Sequence, residues 1–151
     1  MEKPVYEVWG PELFDKIWSS TYFNEEQTRI ISEALRASSL VLDLGTGIGN
    51  VAKRLVDEGK TVHGIDTSQQ NLDYTSRKIG SPRFHPVLAD AQRLNYREEF
   101  DGASCASNMA YFDDLERTVT GVYRALRANG LFAVSGYEAD RMQEWARLTG
   151  E

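Results

Sequence analysis

Acidic residues and glycines stand where several short apolar runs of the sequence end. The segment DLGTGIG (43–49) carries an aspartate followed by three alternating glycines, Asp66 closes the run TVHGID, and Asp90-Ala91 follows HPVLA. Glycines permit tight turns and let a ligand approach the bare backbone. An acid at the position of Asp66 can accept hydrogen bonds from both hydroxyls of a ribose. Asp90 can accept from an exocyclic amine while the Ala91 amide donates to a ring nitrogen, so the pattern favours a nucleoside-bearing ligand.

Strand and helix patterns alternate from Leu40 onward, which predicts an α/β fold with a parallel sheet and helices on both faces. Pro86 places the third strand at a sheet edge. Ligands of such sheets bind beyond the carboxyl ends of the strands, where the acids and glycines lie. The predicted strands are LVLDLG (40–45), TVHGID (61–66), FHPVLAD (84–90), DGASCAS (101–107) and LFAVSG (131–136). The predicted helices that follow them are 49–58, 68–79, 113–126 and, at the end of the chain, 138–148.

The first 36 residues form a distinct N-terminal segment that is rich in aromatic side chains. Pro11 suits the first turn of a short helix, and Asn24 with Gln27 resembles an N-cap pair for the next helix. The aromatic residues either cover one layer of the core or form a lid that contacts an apolar or cationic substrate. The candidates for substrate contact are Tyr6, Phe14 and Trp18 in this segment and Tyr111 after the fourth strand.

Composition restricts the possible functions. The chain has 151 residues and a net charge of −6, which disfavours nonspecific binding to nucleic acid. No apolar run approaches the length of a membrane span, and MEKPVYEVWG has no signal-peptide pattern. The single cysteine, Cys105, cannot form an internal disulfide and suits a reducing compartment. We therefore expect a cytoplasmic, single-domain-sized protein with no metal site and no membrane partner.

The motifs VLDLGTGIGN, GIDTS, LADAQRL, FDGASCASNMAYFDD and LRANGLFAVSG resemble the successive motifs of class I S-adenosylmethionine-dependent methyltransferases, in order and at that family's spacing. The resemblance covers about residues 37–136. It implies a Rossmann-like doubly wound sheet of strand order 3-2-1-4-5 in residues 37–151, with residues 1–36 as a helical cap or lid. Family members usually add strands 6 and 7, which are missing from this sequence. That departure predicts a truncated or shortened catalytic domain, with possible homo-oligomers through the open strand-5 side.

The resemblance also implies a role for each motif residue, with S-adenosylmethionine as the cofactor. Asp66 would hold the ribose hydroxyls, and Asp90 would accept from the adenine amino group. Each acid has a simpler alternative role as a cap or turn residue. The alternative role for Asn108 is a hydrogen bond to the backbone without any contact to a ligand. The implied cofactor-binding set is Asp43, Gly45, Thr46, Gly47, Gly49, Asp66, Thr67, Asp90, Ala91 and Asn108. The implied reaction is direct methyl transfer to a small molecule, and the sequence assigns no catalytic base.

Two alternatives stay open at this point. An NAD-dependent oxidoreductase would carry Gly-x-Gly-x-x-Gly. Here Gly49 falls one position too early and Asn50 occupies the required place. A non-catalytic or truncated S-adenosylmethionine-binding domain is the second alternative, because the last strands of the family are not in the sequence.

Overall fold

A computed structural model describes residues 5–136, 147 and 150, without the side chains of residues 5–7. Within this part of the chain, five parallel strands form one sheet of order β3-β2-β1-β4-β5. The strands are β1 (Leu40–Leu44), β2 (Thr61–Asp66), β3 (Phe84–Leu88), β4 (Phe100–Ala106) and β5 (Leu126–Ser135). The helices are α1 (Val5–Trp18), α2 (Tyr22–Ala34), α3 (Asn50–Asp57), α4 (Gln69–Ile79) and α5 (Leu115–Ala125). The predicted Rossmann-like fold and its strand order are confirmed.

Two hydrophobic clusters bury the two faces of the sheet. Alternate residues of β1 point to opposite faces, so Val41 and Leu42 belong to different clusters. Val41 packs with residues of α2 and α3, such as Ile31 and Leu55. Leu42 packs in the cluster that contains Val122 of α5. The sheet is therefore covered on both sides, which is why its central strands are apolar almost throughout.

The chain reverses its direction of travel across the sheet between β3 and β4. Strands β1, β2 and β3 advance toward one edge, and β4 returns to pair with the other side of β1. The segments after β1 and β4 therefore diverge and leave a crevice at their carboxyl ends. Asp43 in β1 and Asp66 at the end of β2 are thus brought to the same edge of the sheet.

Several predicted element boundaries differ from the observed ones. The N-cap of α2 is Thr21, whose side chain accepts from the Asn24 amide, so Asn24 lies inside the helix. Helix α5 begins at Leu115, after the N-cap Asp114, rather than at the predicted residue 113. Strand β5 already begins at Leu126, within the predicted helix, because Leu126 pairs with Phe100 before a shift of register. The predicted helix over 138–148 lies outside the described residues, apart from Arg147.

Helix α1 contains a break at Gly10, whose φ of 75° is in the left-handed region. Glycine adopts this conformation without the steric penalty that other residues incur. Pro11 follows directly and begins the second segment of the helix, as its fixed φ favours. Among the described residues, no helix is long and apolar enough to cross a membrane.

Candidate functional site

A cavity of about 690 Å³ lies at the carboxyl edge of the sheet, between the strand ends and helices α1 and α2. Nine of the ten cofactor-binding residues expected from the sequence line it: Asp43, Gly45, Thr46, Gly47, Asp66, Thr67, Asp90, Ala91 and Asn108. Phe14, Trp18 and Tyr111, the candidates for substrate contact, line the same cavity. The fold therefore gathers these residues from five separate segments around one space.

Two of the expected residues stand apart from this lining. Gly49 is buried, and a Cβ at its position would lie 2.3 Å from the Thr75 methyl carbon. The third glycine of the loop therefore permits close packing of the loop against α4, and it does not border the cavity. The side chain of Tyr6 lies outside the described residues, so its expected contact stays a prediction.

The carboxylate of Asp66 connects the end of β2 to the glycine-rich loop. One oxygen accepts from the Gly47 amide at 2.8 Å, and the other accepts from the Ser68 amide at 2.9 Å. A carboxylate has about four acceptor positions, so each oxygen retains capacity for a hydroxyl donor. Asp66 thus orders its own turn and also lines the cavity, and its expected contact with a ribose stays a prediction.

Asp43 is the most buried acid of the site, with 2% of its surface exposed. Burial raises the pKa of its carboxyl to about 6, against the smaller lowering effects of the Ser104 and Thr46 hydroxyls, and the nearby charge of Asp66 adds to the rise. The Ser104 hydroxyl donates to Asp43 at 2.7 Å. A buried carboxylate of this kind is costly to ionise in the free protein, and a bound cation would stabilise its charge.

Asp90 and Asn108 both make local hydrogen bonds at the cavity. Asp90 caps a short 3₁₀ helix (Ala91–Arg93) by accepting from the Gln92 amide at 2.9 Å. The side-chain amide of Asn108 donates to the carbonyl oxygens of Gly45 and Ala106, each at 2.8 Å. The NH₂ group of Asn108 is therefore committed to backbone, and its side-chain oxygen is the atom that could meet a ligand.

The glycine-rich loop fits closely against Asn108 but leaves space at its centre. A Cβ at Gly45 would lie 2.8 Å from the side-chain carbonyl carbon of Asn108. A Cβ at Gly47 would meet only the Gly45 carbonyl oxygen, at 3.7 Å. Gly47 is thus the position of the loop where the backbone is open to the cavity.

Helix α1 is attached to the rest of the site by a polar cluster, which we call the Lys78 network (Asp15, Asn50, Tyr74 and Lys78). The Lys78 ammonium lies 2.9 Å from Asp15, 2.7 Å from Asn50 Oδ1 and 3.0 Å from the carbonyl oxygen of Ile48. Tyr74 donates to Asp15 at 2.5 Å. Burial opposes ionisation of Asp15, but hydrogen bonds from Ser19, Tyr74 and Lys78 hold its pKa below the ordinary value. The network therefore joins α1, α4 and the glycine-rich loop through one cation.

Replacement of Lys78 by methionine should lower the free energy of unfolding by about 1–3 kcal/mol, because it leaves the mostly buried Asp15 without its cationic partner. Urea denaturation at neutral pH would measure the change. Lys53→Met is the matched control, since the Lys53–Asp57 pair has side chains 41% and 60% exposed and should contribute less than about 1 kcal/mol. Equal effects of the two substitutions would show that the Lys78 network does not stabilise the fold.

Sequence reasoning missed seven polar residues of the cavity: Thr21, Asn24, Gln27, Asn50, Asn71, Gln92 and Ser107. The spacing of Asn24 and Gln27 predicts a capping pair, but both are buried. Gln27 accepts from the Ser107 hydroxyl at 2.8 Å, which joins α2 to the end of β4. The side-chain amide of Asn50 donates to Asn24 at 2.9 Å. The signal that could have identified the α2 pair is their polarity on the same helix face as the buried Ile31.

Comparison with known proteins agrees with this architecture. Residues 41–130 match the family described as a methyltransferase domain, which is more than half of the chain. The chain is 26% identical over 140 residues to YqeM of Bacillus subtilis (strain 168), which is named as a methyltransferase. It is 30% identical over 108 residues to the S-adenosyl-L-methionine-dependent Diels-Alderase iccD of Talaromyces variabilis. These matches cover 87% and 67% of this chain, respectively.

A solved structure with bound cofactor shares the fold. The glycopeptide N-methyltransferase MtfA, complexed with S-adenosyl-L-methionine, superposes with a TM-score of 0.64 at 20% identity. The match covers 74% of this chain and 53% of MtfA. The matched regions are 56% of YqeM and 37% of iccD, so the chain spans about half the length, or less, of these curated relatives.

Proposed function

Because the chain belongs to the methyltransferase-domain family, we propose that it binds S-adenosylmethionine in the cavity and directs methyl transfer to a small molecule. The observation that carries this proposal is the convergence of the glycine-rich loop with Asp43, Asp66 and Asp90 on one cavity of about 690 Å³. A cavity of this size is typical of small-molecule and cofactor sites. Its acids suit a ligand that is cationic and carries no phosphate.

The residues present fit this cofactor by their chemistry. Gly47 exposes bare backbone, Asp66 offers acceptors for ribose hydroxyls, and Asp90 with Ala91 offers an acceptor and a donor for adenine. When bound, S-adenosylmethionine supplies an activated methyl group on a sulfonium centre. The protein's part is to bind, align and exclude water. Alignment alone can contribute about 7–11 kcal/mol in well-oriented systems.

Replacement of Asp66 by alanine should weaken cofactor binding by about 1–3 kcal/mol, since ribose acceptors and the contact to the Gly47 amide are lost together. Isothermal titration calorimetry with S-adenosylhomocysteine would measure this loss. Asp73→Ala is the control, because Asp73 is exposed on α4 and does not line the cavity. An unchanged dissociation constant for Asp66→Ala would contradict the ribose assignment.

Ligand titration tests the proposed function directly. S-adenosylmethionine and S-adenosylhomocysteine should both bind, and NAD should not, because a negatively charged pyrophosphate would face the carboxylates of the cavity. Tight NAD binding without a response to the other two ligands would overturn the proposal in favour of an oxidoreductase.

A second candidate is S-adenosylmethionine binding without methyl transfer. It is favoured by the relative iccD, whose name joins dependence on this cofactor to a Diels-Alder reaction. The two candidates differ in the fate of the cofactor. A methyltransferase converts it to S-adenosylhomocysteine in proportion to product, whereas a cofactor-dependent cyclase or a binding module leaves it intact.

The remaining expectations enter as parts of the same proposal. We propose a cytoplasmic location, supported by the single cysteine, Cys105, which is buried in β4. We also propose association of two copies along β5, supported by the half-exposed Leu131 on this outermost strand of the described sheet. Light scattering that shows a monomer at high protein concentration would contradict association.

A further inference from the structure

The charged side chains that line the cavity, within the described part of the chain, are all carboxylates: Asp43, Asp66 and Asp90. The two histidines of the sequence, His63 and His85, lie 4.8 Å apart between ring centroids and do not line the cavity. The charged lining of the described cavity is therefore negative, and the Lys78 ammonium, which contacts the lining residues Ile48 and Asn50, is paired with Asp15. A negatively charged acceptor would be repelled in this environment, and a positive charge would be attracted.

Helix α1 contributes an apolar wall to the same cavity, formed by Trp9, Phe14, Ile17 and Trp18. The rings of Phe14 and Trp18 are stacked, with centroids 6.0 Å apart and an angle of 16° between their planes. Trp18 also contacts Phe23 at a centroid distance of 5.8 Å, so its ring packs against two other aromatic rings. Aromatic faces pack against flat apolar groups and attract cations.

The apolar wall has polar groups beside it that are neutral. The side chains of Thr21, Asn24 and Gln27 continue the lining from α1 onto α2, and Ser107 faces them from the end of β4. Gln27 and Ser107 are bonded to each other, and Asn24 is bonded to Asn50. This side of the cavity thus combines apolar contact area with uncharged hydrogen-bonding groups.

We propose that the acceptor is a neutral amine carried on an apolar, ring-sized group, and that the methylated product is an ammonium ion held against the apolar wall, in a cavity whose charged lining is negative. The inference rests on the proposed function and specifies its substrate class. The amine's lone pair forms the new N–C bond as the S–C bond breaks, the bonding electrons stay on sulfur, and the positive charge moves from sulfur to nitrogen. A primary or secondary amine then releases its proton to water.

Charge conservation is the reason that this class fits. One positive charge is present before and after transfer, so carboxylates and aromatic faces stabilise both the reactant and the product state. A phenolate, carboxylate or phosphate acceptor would instead bring a negative charge into a cavity whose charged lining side chains are carboxylates. The site therefore selects for the charge of the acceptor as well as for its shape.

Calorimetry on protein saturated with S-adenosylhomocysteine tests the inference without turnover. The probes are phenyltrimethylammonium, benzyl alcohol and benzoate, which have similar size and carry positive, zero and negative charge. Phenyltrimethylammonium should bind at least about tenfold more tightly than benzoate, with benzyl alcohol between them. Benzoate binding as tightly as the ammonium probe, or no binding by any probe, would overturn the inference.

Variants at the apolar wall locate the binding. Trp18→Leu should weaken phenyltrimethylammonium binding about tenfold and leave S-adenosylhomocysteine affinity unchanged, which also shows that the variant is folded. Tyr22→Leu is the matched control, since Tyr22 is 80% exposed and does not line the cavity. Equal ammonium affinity in Trp18→Leu and the unmodified chain would overturn the role of the wall.

The same experiment separates the two levels of the proposal. If S-adenosylhomocysteine fails to bind the unmodified chain, the proposed function and the acceptor class are both overturned. If it binds and benzoate is preferred, only the acceptor class is wrong. In a turnover assay, N-methylaniline should be methylated faster than phenol, and the reverse order would overturn the inference.

Discussion

Gly47→Val is expected to lower the affinity for S-adenosylmethionine by about 100-fold or more, which corresponds to about 3 kcal/mol. The backbone at Gly47 is open to the cavity, and a Cβ there would meet only the Gly45 carbonyl oxygen within 4 Å. A branched side chain would therefore extend into the space that the cofactor requires. Calorimetric titration with both S-adenosylmethionine and S-adenosylhomocysteine would measure the loss.

The control for this substitution must carry the same backbone strain. Gly47 has a φ of 53°, in the left-handed region where β-branched residues are disfavoured. Gly59, in the turn after α3, has a φ of 90°, and a Cβ at its position would meet no atom within 4 Å. Gly59→Val should thus cost similar stability, about 1–2 kcal/mol, and leave binding intact. Retained affinity in Gly47→Val would show that the loop does not touch the cofactor.

Asp43→Asn is expected to stabilise the ligand-free chain above pH 6. The pKa of Asp43 is about 6 in the folded chain and 3.8 when unperturbed, because burial disfavours its charge. The folded state therefore binds more protons than the unfolded state between about pH 4 and 6, so stability falls as the pH rises through this window. The difference corresponds to about 3 kcal/mol, and asparagine removes this penalty while it can still accept from Ser104.

Urea denaturation of both chains at pH 5 and pH 8 would test this result. The unmodified chain should lose stability relative to Asp43→Asn between these values. Asp15 has the opposite effect, since its lowered pKa adds stability that is lost at acid pH, but it is common to both chains and cancels in the difference. A stability difference that does not change with pH would contradict the assigned pKa of Asp43.

The same variant should lose affinity for the cofactor, by about tenfold or more, because the buried negative charge no longer faces a cationic ligand. Binding to the unmodified chain should also weaken below pH 6, as Asp43 becomes protonated. Asp43 is thus expected to lower the stability of the ligand-free chain and to raise its affinity for the cofactor. An unchanged affinity in Asp43→Asn would remove it from the cofactor site.

Most of the fold could be predicted from the sequence because the information is local. Alternating strand and helix patterns, glycines after helices and acids at strand ends each report on a few neighbouring residues. Even β4, whose sequence FDGASCA is only mildly apolar, is predictable because its position in the alternation requires a strand. The strand ends then place nine of the ten expected cofactor-binding residues around the cavity.

The missed features depend on contacts between residues that are distant in the sequence. Asp15 and Tyr74 are 59 positions apart, and Gln27 and Ser107 are 80 positions apart. No local pattern marks these pairs, since Asp15, Tyr74 and Gln27 are ordinary polar residues of helices and Ser107 is an ordinary polar residue after a strand. In the sequence Asn50 stands out only because it breaks a dinucleotide fingerprint, whereas its side chain links α2 to Lys78.

The Lys78 network connects any movement of α1 to the glycine-rich loop. Lys78 holds both Asp15, one residue after Phe14 of the apolar wall, and the carbonyl oxygen of Ile48 inside the glycine-rich loop. If α1 moved outward with these bonds intact, the glycine-rich loop would have to move with it. If the bonds broke, the mostly buried Lys78 ammonium would lose its partners. Displacement of α1 therefore requires either movement of the glycine-rich loop or loss of the Lys78–Asp15 ion pair, and the contacts of Ser19 with Asn50 and of Tyr74 with Asp15 add to this connection.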